Sequence, residues 1–124
     1  MENPKHYSAP ALAFLGDAVY ELRIRELLVK SGKAKSGELH AAAVERVRAS
    51  FQAGAAHRIA PLLTEEETDI YKRGRNCNAV HPPRGATATD YRCATGLECL
   101  FGYLYLKGDA NRIDVLLGEI LKEA

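Results

Sequence analysis

The chain has 124 residues, 47% of them hydrophobic and 27% charged, and its net charge is +1. This size and composition are typical of one folded domain with an apolar core, and we predict a single domain over residues 1–124. The charge excludes a globally basic nucleic-acid-binding protein, and the three scattered cysteines, Cys77, Cys93 and Cys99, exclude a disulfide framework. No apolar run reaches the ~18 residues of a membrane span and residues 1–6 lack a signal peptide, so we predict a cytoplasmic protein.

Residues 1–9 are expected to form a loosely held lead-in to the first helix, which runs from about Pro10 to about Lys30. This helix has an apolar stripe at helical spacing that comprises Leu12, Leu15, Val19 and Leu22. Asp17 lies off the stripe, next to Gly16. Because glycine costs about 1 kcal/mol relative to alanine inside a helix, Gly16 indicates the close approach of another backbone or a ligand. Asp17 is then either an ordinary exposed acid or a carboxylate that faces a crevice.

The rest of the chain predicts further helices and no strand, which gives an all-α fold of about five to seven helices. A second helix begins near Ser36 and ends or bends near Gly54, and a further short helix continues to Pro61. Thr64 and Glu67 have the spacing of a capping box, in which each residue's side chain accepts a hydrogen bond from the other's backbone amide.

The helix that follows this capping box ends around residues 72–75. Residues 76–88 are rich in Asn, Pro and Gly and predict a loop, which at this length is usually functional or mobile. The next helix starts at residues 87–90 and runs to about Lys107, and Asn111 is expected to cap the last helix.

A second lone acid, Glu98, lies in the strongly apolar segment 97–106. We predict that Glu98 and Asp17 meet where their helices cross, since charged residues are rarely buried without a partner or a metal. Two close carboxylates repel, and Mg²⁺, which prefers hard oxygen ligands, would relieve the repulsion. The residues leave open a second interpretation, in which this glutamate pairs with an arginine such as Arg23, Arg25 or Arg92.

A basic segment follows, with no acid between residues 70 and 90. Its side chains are of the types that contact phosphates and sugars, so we predict a polyanion-binding surface. The alternative is a solvated basic helix end, because cations favour helix C-termini. The predicted contact residues of this polyanion-binding surface are Lys72, Arg73, Arg75, Asn76, Arg84 and Arg92.

The order of these blocks resembles the ribonuclease III catalytic domain, and in particular the short Mini-ribonuclease III family. The resemblance spans residues 8–122, and its motifs are LAFLGDAVYE at 12–21, KRGRN at 72–76, YRCATGLE at 91–98 and GYLYL at 102–106. It implies an α-helical homodimer that hydrolyses double-stranded RNA with Mg²⁺, without a separate double-stranded-RNA-binding domain. It also implies a substrate, the large-subunit (23S) ribosomal RNA precursor, trimmed at the base of a stem.

The resemblance implies that Asp17 and Glu98 are the catalytic and metal-binding acids. It leaves open whether Glu21 contacts the residues or waters that bind the metal, or forms an ordinary helix or dimer salt bridge. Longer ribonuclease III relatives carry two more acids, at the positions of Ala13 and Thr95 here. We therefore expect fewer protein ligands at the metal and more metal-bound water.

The resemblance and the apolar excess of the first helix predict a dimer face around Phe14, Leu15 and Tyr20. We interpret Gly16 as clearing space beside Asp17 for a hydrated metal and a phosphate. Two other functions stay open, a non-catalytic RNA-binding or ribosome-associated helical module and a helical protein that binds an acidic partner. The sequence does not decide whether a ribosomal protein takes part.

Overall fold

The computed structural model describes residues 3–32, 35–77 and 86–122. These residues form six α-helices and two single turns of 3-10 helix, with no strand among them, which confirms the predicted all-α fold. No helix in these ranges is long and apolar enough to cross a membrane. The α-helices are α1 (Ala9–Lys30), α2 (Ser36–Val47), α3 (Ala49–Ile59), α4 (Glu65–Asn76), α5 (Ala88–Lys107) and α6 (Ala110–Ile120), and the 3-10 turns are Pro4–His6 and Ala60–Leu62.

Helix α5 lies at the centre of the fold. It packs against α1, α3, α4 and α6, and ten of its residues are buried. A helix that is apolar on all sides is typical of such a central position. Gly108, with φ of 80°, ends α5 in the left-handed conformation that glycine adopts without strain, as predicted.

Helices α1 and α5 cross with their backbones in close approach. A Cβ atom on Gly16 would lie 2.5 Å from the carbonyl carbon of Glu98 and 2.8 Å from the amide nitrogen of Gly102. A Cβ atom on Gly102 would lie 2.9 Å from the carbonyl carbon of Leu12. The prediction of a close backbone at Gly16 is therefore confirmed. The interpretation that Gly16 clears space for a hydrated metal is wrong, because the backbone of α5 occupies that space.

The buried stripe of α1 differs from the predicted one. The predicted members Leu12 and Val19 are buried. The whole buried face comprises Ala9, Leu12, Ala13, Gly16, Val19, Tyr20, Ile24 and Leu28. Leu22, which was expected on this face, is 65% exposed. A glycine and a tyrosine stand in the stripe, so hydrophobicity alone does not identify it, whereas Leu22 lies about 200° around the helix from Tyr20.

Two predicted helix boundaries are wrong. The break between α2 and α3 lies at Arg48, which has extended backbone angles, and Gly54 lies inside α3. The last helix is capped by Asp109, whose carboxylate accepts from the amide of Arg112 at 3.2 Å, and not by Asn111. The break at Arg48 carries no proline or glycine that would mark it in the sequence. Asp109 and Asn111 are both of residue types that favour the N-cap, so residue type alone does not choose between them.

The capping box at the start of α4 is confirmed, and its Glu67 also links α4 to α6. The Thr64 amide donates to Glu67 at 2.9 Å and the Glu67 amide donates to the Thr64 hydroxyl at 3.1 Å. The Glu67 carboxylate also accepts two hydrogen bonds of 2.8 Å from the Arg112 guanidinium on α6. Burial pushes the pKa of Glu67 upward, but these hydrogen bonds prevail and hold it below its usual value.

Candidate active site

The α1–α5 crossing brings Asp17 and Glu98 to one surface groove of about 250 Å³. Asp17 follows Gly16 directly and is exposed at the mouth, whereas Glu98 is half-buried. The groove is lined by Pro10, Ala13, Phe14, Asp17, Cys77, Tyr91, Thr95 and Glu98. The glycine contact thus sets the spacing of the two carboxylates, and their role as catalytic acids stays a prediction.

The two carboxyl groups interact strongly. Burial raises the pKa of Glu98 to about 8, and the charge of Asp17 and a hydrogen bond to it act in the same direction. A hydrogen bond from Gln52 opposes the rise. Near neutral pH the metal-free groove therefore holds two carboxyl groups that retain a proton at Glu98.

An arginine partner for Glu98 is not found among the described residues. Arg23 pairs with Asp114 at 3.1 Å, and Arg25 pairs with Glu21 at 3.3 Å. The polar side chains that act on Glu98 are those of Asp17 and Gln52. Of the two interpretations left open by the sequence, the structure favours the carboxylate pair.

The groove can supply two carboxylates to a metal ion. Ala13 and Thr95, which replace the acids of longer relatives, both line it, and the Thr95 hydroxyl donates to the Tyr91 carbonyl at 2.9 Å. Within 3–32, 35–77 and 86–122 no group of three or more His, Cys, Asp or Glu side chains is placed to hold a metal. Two hard oxygen donors in an open groove fit Mg²⁺, which usually keeps several waters and binds through one or two carboxylates and phosphate.

Glu21 lies one turn after Asp17 on α1 but does not line the groove. Its carboxylate forms an i,i+4 ion pair with Arg25 on the same helix. This contact favours an ordinary helix salt bridge over a supporting role at the metal.

Arg73 fastens the N-terminal lead-in to α4. Its guanidinium donates to the carbonyl oxygens of Lys5 at 3.1 Å and Tyr7 at 2.8 Å, and the Lys5 side chain pairs with Glu66 at 3.2 Å. The described part of the lead-in is therefore held in place, and the expectation that it is loose is wrong. Two of the five N–H donors of the Arg73 guanidinium are thus directed at backbone carbonyls.

Of the other predicted RNA-binding residues, those that the structure describes lie at the two helix ends that border the groove. Lys72 and Arg92 are exposed, on α4 and α5 respectively. The Arg75 guanidinium donates to the side-chain Oδ1 atom of Asn76 at 3.3 Å and lies 5.9 Å from the centre of the Tyr71 ring. Arg84 and residues 78–85 of the predicted loop lie outside the described residues.

Sequence reasoning missed Gln52, a residue of α3 that is only 2% exposed. Its amide nitrogen lies 3.4 Å from the Oε2 atom of Glu98 and 2.9 Å from the carbonyl oxygen of Val47. The available signal was a glutamine among apolar residues of a helix, where a buried polar group needs partners.

Comparison with known proteins defines the class of this fold and groove. A family model described as the ribonuclease III domain matches residues 10–109. The chain belongs to this family, a class of endoribonucleases that act on double-stranded RNA, so the predicted enzyme class is confirmed.

Similarity to individual proteins narrows the family to one of its subgroups. The chain is 41% identical to the Mini-ribonuclease 3 of Symbiobacterium thermophilum over 100% of this chain and 92% of that protein. It is 46% identical to the Mini-ribonuclease 3 of a Thermoanaerobacter species over 86% and 75%, respectively. A crystal structure of a Fusobacterium nucleatum protein superposes with a TM-score of 0.89 and 32% identity, covering 99% of this chain and 100% of that one. Within the ribonuclease III family, the chain belongs with the Mini-ribonuclease 3 proteins.

Proposed function

We propose that this protein cleaves double-stranded RNA in a Mg²⁺-dependent reaction in which Asp17 and Glu98 bind the metal. The observation that carries the proposal is the shared groove, in which burial and Asp17 raise the pKa of Glu98 to about 8. Metal-binding and catalytic sites commonly contain a buried carboxyl group whose pKa is raised by a second carboxyl group nearby.

The proposed roles of the groove residues follow from their positions. Bound Mg²⁺ would supply the Lewis acid that polarises the phosphate and lowers the pKa of water. Asp17 and Glu98 would hold the ion through their carboxylates, and Glu98 would do so in its deprotonated form. Because Ala13 and Thr95 bring no charge, water and the RNA phosphate would have to supply the other ligands.

For RNA binding we propose residues at the ends of α4 and α5, together with Arg84, which lies outside the described residues. Double-stranded RNA is recognised mainly by shape, through phosphates and 2′-hydroxyl groups, which suits a few cationic and amide side chains. Arg73 adds positive charge, while its hydrogen bonds serve the lead-in. The proposed contacts are Lys72, Arg75, Asn76, Arg84 and Arg92.

We propose that the protein is a homodimer whose interface includes Phe14 and Leu15. Phe14 is 86% exposed beside the groove, which is unusual for a large apolar side chain without a partner. Tyr20, which the sequence also placed on this face, is 0% exposed inside the fold and cannot contribute. A two-fold axis would present two grooves to the two strands of a duplex.

The substrate we propose is the 23S ribosomal RNA precursor, on the strength of membership among the Mini-ribonuclease 3 proteins. A ribosomal protein partner, the cytoplasmic location and a single domain over residues 1–124 stay predictions. The competing function is a non-catalytic RNA-binding module, which the absence of acids at Ala13 and Thr95 favours.

The test is cleavage of a long RNA duplex, with Mg²⁺ and with a chelator, by the wild type, Asp17→Asn and Asp69→Asn. Asp69 is an exposed residue of α4 and provides the matched control. We expect Asp17→Asn to lose cleavage while it stays folded and binds RNA, and Asp69→Asn to behave as the wild type. Full activity in Asp17→Asn would refute the proposal, and RNA binding without Mg²⁺-dependent cleavage by the wild type would favour the non-catalytic module.

A further inference from the structure

Gln52 reaches the groove from α3, a helix that supplies no groove-lining residue. Its amide nitrogen has two acceptors, the Val47 carbonyl oxygen at 2.9 Å and the Glu98 Oε2 atom at 3.4 Å. The Gln52 Oε1 atom is buried and has no hydrogen-bond partner in the described part of the chain. Both N–H groups of the Gln52 side chain therefore donate hydrogen bonds, while its Oε1 atom accepts none from the described residues.

The orientation of this amide follows from its neighbours. An amide nitrogen carries two donors and the oxygen carries none. The reversed amide would place its oxygen against the Val47 carbonyl oxygen, which can only accept a hydrogen bond. The contact with Glu98 is thus a donor contact.

An unpaired buried carbonyl oxygen destabilises the fold. Its neighbours on α3 are apolar and include Ala53, Ala55, Ala56 and Ile59. A methionine of similar length would fill this site without an orphaned polar atom. The Val47 contact, which satisfies a carbonyl at the end of α2, accounts for one donor, and Glu98 accounts for the other.

We propose that Gln52 is a positioning residue for metal binding, which holds the Glu98 carboxylate in the orientation that lets it share a divalent cation with Asp17. The inference rests on the proposed function, since it assigns Glu98 the role of metal ligand. Partners that orient metal ligands typically change metal affinity by about 10–100-fold when they are removed. Gln52 does this from a different helix and without contact with RNA.

The test compares Gln52→Met with the wild type in two assays. Binding of Mn²⁺ alone is followed by the loss of its free-ion electron paramagnetic resonance signal, and the Mg²⁺ dependence of duplex cleavage is measured separately. We expect at least a 10-fold loss of Mn²⁺ affinity and a matching rise in the Mg²⁺ needed for half-maximal cleavage. RNA affinity in the presence of a chelator should stay unchanged, which a general structural defect would not leave intact.

Two controls keep the outcomes separate. Ile59→Val removes a buried methyl group from the same helix, two turns from Gln52, and should leave Mn²⁺ affinity unchanged. If Glu98→Gln loses Mn²⁺ binding but Gln52→Met retains it, the positioning role is overturned and the proposed function stands. If Glu98→Gln also retains it, both are overturned. Gln52→Leu serves as the second variant, and it must show the same loss if Gln52→Met does not fold.

Discussion

The close crossing of α1 and α5 predicts that a single methyl group at Gly16 damages both stability and activity. In Gly16→Ala the new Cβ would lie 2.5 Å from the Glu98 carbonyl carbon and 2.8 Å from the Gly102 amide nitrogen. Ordinary contacts of a Cβ atom lie at 3.4–4 Å. Because the obstacles are backbone atoms of a central helix, no side-chain rotation can relieve the clash, and the two helices must separate by roughly 1 Å.

The size of the effect follows from two opposing contributions. Overpacking of a core costs about 1–3 kcal/mol, and a clash with backbone belongs at the upper end. Alanine recovers about 1 kcal/mol of helix propensity. The net loss of about 2 kcal/mol should lower Tm by roughly 5–10 °C for a domain of this size. Since the groove acids Asp17 and Glu98 flank this contact, a shift of about 1 Å should also reduce kcat/KM by about 100-fold.

The assay pairs thermal unfolding with duplex cleavage, and Gly54→Ala is its control. Gly54 is an exposed residue inside α3 at which a Cβ would meet nothing within 4 Å. The control should gain about 0.5–1 kcal/mol of stability and keep its activity. If Gly16→Ala were as stable and as active as Gly54→Ala, the account of the α1–α5 crossing would be incorrect.

Three further predictions concern the ion pairs and the groove. Arg112→Met should lower the free energy of unfolding by about 3 kcal/mol, because it leaves the buried Glu67 carboxylate without its partner; urea titration checks this, and a change below 1 kcal/mol would contradict it. In metal-free protein, stability should fall as pH rises from about 4.5 to about 8, since folded Glu98 holds its proton more tightly than the unfolded chain; Glu98→Gln should flatten this slope, and equal slopes would refute the raised pKa. Arg73→Ala should speed proteolysis of the N-terminal lead-in, because it removes the two hydrogen bonds that hold this segment. Lys72→Ala should instead weaken RNA binding and reduce its salt dependence. Faster proteolysis in Lys72→Ala, with weaker RNA binding in Arg73→Ala, would contradict this assignment.

Much of the fold was predictable because its signals are local. The capping box at Thr64, the glycine at the end of α5 and the apolar spacing of each helix depend on neighbours within a few residues. Of the boundaries that failed, the one at Arg48 carries no breaker residue, and the one at Asp109 lies two residues from Asn111, which is an equally favoured N-cap type. The exposed Leu22 shows that the side of α1 that is buried depends on which helices pack against it, which composition does not reveal.

The candidate site was predictable only in part. Lone acids in apolar helices pointed to Asp17 and Glu98, and the structure places both in one groove. Gln52 was out of reach, because its partner Glu98 is 46 residues away on another helix. The contact between Arg73 and the N-terminal lead-in was equally unpredictable. Its acceptors are backbone carbonyls, which every residue possesses, so the sequence does not mark them.

The central position of α5 bears on how this protein can change. Its ten buried residues pack among four neighbouring helices, so changes of volume there disturb the tightly packed centre of the fold. Helix α2 is different, because Ala43 is its buried apolar residue in the described part of the chain and Val44 is exposed. Accepted substitutions should therefore concentrate on α2, which packs mainly against α1 and α3, and a fluorescent label or an affinity tag is best attached there.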